Sequence, residues 1–60
     1  MSEDAVDSLF QALYSLTDIR EIFRKTSPHH ELTEDQKKQM DELIEKVRKN
    51  LDEIEGEMLE

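Results

Sequence analysis

Cysteine and tryptophan are absent from this chain, and glycine and proline occur once each. Without cysteine there is no disulfide, no zinc–thiolate site and no thiol nucleophile. So few glycines, prolines and β-branched residues make strands and tight hairpin turns poor expectations. No apolar run approaches the roughly 18 residues of a membrane span, and the acidic start does not resemble a signal peptide, so a cytoplasmic protein is expected. Bases are missing from two whole stretches. Residues 1–19 carry four acids and residues 50–60 carry five, with no Lys or Arg in either.

Charge and helical periodicity are what the chain does have. Sixteen acids against eight bases give a net charge of −8 over 60 residues, which argues against binding nucleic-acid phosphates. A composition 40% charged and 35% hydrophobic can belong to a disordered chain, but disordered chains do not space their apolar residues regularly. Here Met40, Ile44, Val47, Leu51, Ile54 and Met58 follow intervals of 4, 3, 4, 3, 4, the seam of a coiled-coil helix. Such a seam requires a partner.

The first half of the chain offers one. Val6, Leu9, Leu13, Leu16, Arg20 and Phe23 are spaced 3, 4, 3, 4, 3. Pro28 ends the first helical pattern, because the residue before a proline is pushed out of the α region. Thr33-Glu34-Asp35-Gln36 has the spacing of a capping box and opens the second helix. At the start of the chain, Ser2 or Asp4 suits the first N-cap. The sequence therefore predicts one all-α domain over residues 1–60, with helices of about 3–25 and 34–58 joined by a loop at 26–33.

So short a loop favours antiparallel neighbours, and facing residues then have numbers summing to about 60. Val6 is expected opposite Ile54, Leu9 opposite Leu51, Leu13 opposite Val47 and Leu16 opposite Ile44. Ala5, Ser8, Ala12, Ser15, Ile19 and Ile22 form a second stripe on helix 1, whereas Leu43 lies off the seam of helix 2. Because a domain this small buries only about 60% of its unfolded surface, a second subunit is the expected supplement. The small-residue stripe is the candidate dimer interface, giving an antiparallel helical hairpin that dimerises into a four-helix bundle. That arrangement is similar in architecture to Rop-type hairpin dimers. No motif is shared with them, so their RNA-binding role does not carry over.

Signals for chemistry are weak. No nucleophile–base pair, phosphate-cradling glycine loop or helical metal-ligand pair is present, so no enzyme, cofactor or metal is expected. His29 and His30 read as solvated loop residues, and Glu42/Lys46 and Glu45/Lys49 as i, i+4 pairs on an exposed face. Arg20, at a seam position, is expected to pack its stem and to help fix register. Phe10 and Tyr14 form either a bundle-edge pair or an exposed anchor.

Charge placement is more specific. All eight bases lie between Arg20 and Lys49, where seven acids nearly cancel them. Folding as a hairpin gathers the remaining acids at the open end. Asp52, Glu53, Glu55 and Glu57 oppose the dipole of their own helix, which makes them candidate partner-binding residues together with Phe10 and Tyr14. The functional expectation is a small acidic dimeric interaction module that regulates or inhibits a protein with a basic surface, by nucleic-acid mimicry or in an antitoxin-like way. Two alternatives stand beside it. One is an assembly subunit packing its helices against a different chain. The other is a weak nucleic-acid binder using Arg20, Arg24, Lys25, Lys37 and Lys38.

Overall fold

Two helices, α1 (Glu3–Lys25) and α2 (Glu34–Leu59), pack against each other as a hairpin in a computed structural model that describes residues 3–59. The hairpin extends 40 × 16 × 13 Å. Asp4 lies inside the first turn of α1 rather than at its cap, and Ser2 falls outside the described residues.

The ends of the helices follow local chemistry. Thr33 and Gln36 cap α2 reciprocally: the Thr33 amide donates to Gln36 Oε1 at 2.9 Å, and the Gln36 amide donates to Thr33 Oγ1 at 3.1 Å. Two donors that the first helical turn leaves orphaned are satisfied in this way. At the end of α1, the Thr26 amide donates to Ile22 O at 3.1 Å, and its hydroxyl donates to the same carbonyl at 2.8 Å. A further backbone bond, His30 N to Thr26 O at 2.7 Å, closes the turn that carries the chain past Pro28. His30 has a positive φ of 56°, a conformation in which His is over-represented among non-glycine residues.

Along the axis, the two helices align almost as the sequence implies. Ser8 meets Glu53 and Gln11 meets Asn50, so facing numbers sum to 61. Around the axis they do not. The side chains of α1 turned inward are Ala5, Ser8, Ala12, Ser15 and Ile22, all buried, with Ile19 half-buried. Those of α2 are Leu43 and Asn50, buried, with Met40, Val47 and Ile54 half-buried. The expected pairing of Leu9 with Leu51 and of Leu16 with Ile44 is therefore corrected. On α1 the contact set is the expected one displaced by a single residue, a rotation of about 100°. On α2 every second position is displaced, Leu43 for Ile44 and Asn50 for Leu51.

Small side chains explain the rotation. A stripe of Ala and Ser lets α2 approach the α1 backbone closely, and Leu43 and Ile22 fill the remaining space. Because Ala5, Ser8, Ala12, Ser15 and Ile22 are used within a single chain, they are not available as the surface on which a second copy docks. The burial achieved is modest. Buried hydrophobics are Ala5, Ala12, Ile22 and Leu43, and none of the described large side chains is fully enclosed.

Candidate functional site

Rotating α1 by one residue decides what the hairpin shows to water. Leu9, Leu13, Leu16 and Phe23 each remain 47% exposed, and Leu51 and Met58 on α2 are similarly open. Helical spacing places these residues on the same side of the hairpin, roughly a quarter-turn from the inter-helix contact. At the open end, Val6 and Leu9 of α1 meet Ile54 and Met58 of α2 around a small hollow of about 130 Å³ lined almost wholly by apolar atoms. The two stripes form one broad apolar face.

The opposite side is polar and grooved. Near its middle, an open groove of about 470 Å³ is lined by Gln11, Tyr14, Asp18, Lys46 and Lys49 among others. Asn50 Nδ2 donates to Gln11 Oε1 at 3.4 Å across this groove. Toward the open end, Asp4 and Asp7 of α1 converge with Glu53 and Glu57 of α2 around a second groove of about 460 Å³. The Ser8 hydroxyl donates to Glu53 there, linking the helices. Buried polar atoms among the described residues are all satisfied.

The candidate partner-binding residues do not form one site. Asp52, Glu53, Glu55 and Glu57 all lie exposed on the last turns of α2, but only Glu53 and Glu57 line the acidic groove. Phe10 is half-exposed and Tyr14 is 70% exposed, both outside the buried inter-helix contact. Tyr14 borders the middle groove, which Glu53 also lines, whereas Asp52, Glu55 and Glu57 lie outside it.

Other residues depart from expectation in detail. Glu45 pairs with Arg48 at 3.3 Å, an i, i+3 contact, rather than with Lys49. Glu21 and Arg24 pair at 3.1 Å, and Glu34 and Lys37 at 3.6 Å, in the same manner. Arg20 is exposed on the apolar side and, among the described residues, has no ion-pair partner within the chain. His30 is more than a solvated loop residue. Its ring rests edge-on against Phe23, with centroids 5.2 Å apart, and its Nδ1 lies 3.5 Å from Thr26 Oγ1. Among the described residues no group of three His, Asp or Glu side chains is gathered as a metal site, and no helix is long and apolar enough to cross a membrane.

Sequence reasoning missed the open apolar face, because it matched the strongest stripe of one helix to the strongest stripe of the other. A signal was present: α1 carries two stripes, and the smaller-sided one suits the closer contact. No protein-family model matches the chain, and neither characterised proteins nor solved structures give a significant match.

Proposed function

We propose that the chain is a small protein-interaction module that regulates or inhibits a partner with a basic surface. The observation that carries this reading is the acidic groove where Asp4 and Asp7 of α1 converge with Glu53 and Glu57 of α2, together with the open apolar face of Leu9, Leu13, Leu16, Phe23, Leu51 and Met58 on the other side. Contiguous apolar surface of this kind marks sites of association rather than ordinary exterior. The acids set the sign of the partner. Asp4 and Asp7 of α1 and Glu53 and Glu57 of α2 converge at one end, in stretches of sequence that carry no base. A surface of that charge raises the encounter rate with cationic partners and repels phosphates.

The test is capture of the partner from the native cell with the chain itself and with a variant carrying Asp52→Asn, Glu53→Gln, Glu55→Gln and Glu57→Gln. The amide at position 53 retains an acceptor for the Ser8 hydroxyl, so the hairpin contact survives. Loss of the partner in the variant, and weakening of the native complex as salt rises, are the expected results. A partner retained by the variant at high salt moves the binding site to the apolar face. That outcome favours the second reading, an assembly subunit that packs this face against a different chain.

A further inference from the structure

We infer that a second copy of this chain covers the open apolar face, with the two hairpins antiparallel, so that the acidic end of each lies beside the loop end of the other. The proposal rests on the interaction-module reading only in taking that face as a contact surface.

Area supports an occupant of this size. The chain exposes 4981 Å², whereas a compact monomer of 7.1 kDa exposes roughly 4,100 Å² by the usual mass scaling. The surplus, about 900 Å², is close to the ~800 Å² that each partner buries in a standard interface. Part of it comes from the rod shape, 40 Å long and 13–16 Å across, which pairing two rods side by side corrects. A hairpin whose described large side chains are none fully enclosed is also short of a core. Face-to-face pairing supplies one from residues already present.

Charge favours the same chain as occupant and fixes its orientation. Helical spacing puts Arg20 within the apolar stripe near the loop, between Leu16 and Phe23, with Lys37 at the border of the face there and Glu55 at its border near the open end. The rim thus changes sign along its length. A copy turned end over end meets it with opposite charges, Lys37 coming level with Glu55 of the second copy and Arg20 entering its acidic half. Turning the copies the same way would instead crowd both acidic ends together, well within the screening range of about 8 Å for many pairs. The antiparallel form separates them by about the 40 Å length of the hairpin. It also sets α1 against α1 and α2 against α2 across the interface, each pair running in opposite directions, with Leu13 near the two-fold axis.

Because the chain has no cysteine, Glu31→Cys gives one labelling site in the exposed loop, away from both faces. Sedimentation of the nitroxide-labelled protein is expected to report twice 7.1 kDa. Pulsed dipolar spectroscopy is expected to give a loop-to-loop distance near 40 Å. A distance of roughly 10–20 Å, set by neighbouring helix spacings, would overturn the antiparallel arrangement. Monomeric sedimentation at all accessible concentrations, with no dipolar signal, would overturn the second copy as occupant and leave a different chain. The two proposals fail separately: dimer with no captured partner faults the regulatory reading, and a captured partner with monomeric sedimentation faults the dimer.

Discussion

Ala12 and Leu13 are neighbours on α1, yet one is 4% exposed and the other 47%. The pattern repeats along the helix, with Ser8 beside Leu9, Ser15 beside Leu16 and Ile22 beside Phe23. The smaller member of each pair faces α2 and the larger faces water. The hairpin contact is thus selected by how closely two backbones approach, and the open face by how much apolar area is left over. Size, not hydrophobicity alone, assigns the faces.

Substitutions at one adjacent pair break this comparison most sharply. Ala12→Leu inserts three carbons into the close contact opposite α2 and is expected to cost about 2–3 kcal/mol, through strain and separation of the helices. Urea unfolding monitored by circular dichroism measures it, and the loss should be the same at every protein concentration. Leu13→Ala behaves differently. In an isolated hairpin, where half of the side chain already meets water, it costs about 1 kcal/mol. At concentrations where a second copy covers the face, the cost rises to 2 kcal/mol or more per chain. Equal concentration dependence for the two variants would remove the distinction between the faces.

Much of the hairpin was legible in the residues themselves. Pro28 and the Thr33–Gln36 box mark the interruption between helices, and the reciprocal capping bonds form as the spacing implies. The lengthwise alignment was also readable, since loop length and antiparallel packing leave little freedom. Rotation about the axis was not. Met40, Val47 and Ile54 sit on the boundary between two faces of α2 and belong to either phase. The choice between Leu43/Asn50 and Ile44/Leu51 therefore depends on α1, whose small-residue stripe admits a closer approach. A buried asparagine makes the correct phase look broken in sequence. The acidic end was legible as charge, with Asp4 and Asp7 gathered beside the acids of α2, but which of these acids share a groove depends on the same rotation.

A smaller effect tests the part of the molecule that neither face controls. Thr33→Ala removes the hydroxyl that accepts from the Gln36 amide and is expected to destabilise the hairpin by about 1 kcal/mol. Thermal unfolding at fixed concentration measures it. Thr33→Ser, which keeps the acceptor, should restore most of the loss. Because the Thr33 hydroxyl is used within its own helix, the change should leave the oligomeric state untouched. A shift in oligomeric state with Thr33→Ala would show that the cap itself takes part in association.

Asn50→Leu is expected to change stability least and to sharpen the comparison between faces most. Asn50 is 6% exposed and reaches Gln11 at 3.4 Å, a long bond between two neutral groups. Replacing it with an apolar side chain frees Gln11, which is exposed and finds water, so the net cost is within about 1 kcal/mol of zero. The consequence lies in specificity. With leucine at both 50 and 51, α2 presents nearly equal apolar stripes in two phases, and the one polar residue that marks the inward face is gone. A single polar seam residue is a known means of fixing register at some cost in stability. The expected signature is a normal unfolding midpoint with broadened amide resonances for residues around Met40, Val47 and Ile54, as α2 samples both rotations. Sharp resonances at native positions would mean that the Ala and Ser stripe of α1 sets the rotation by itself. The asparagine would then be tolerated in the contact and not required by it.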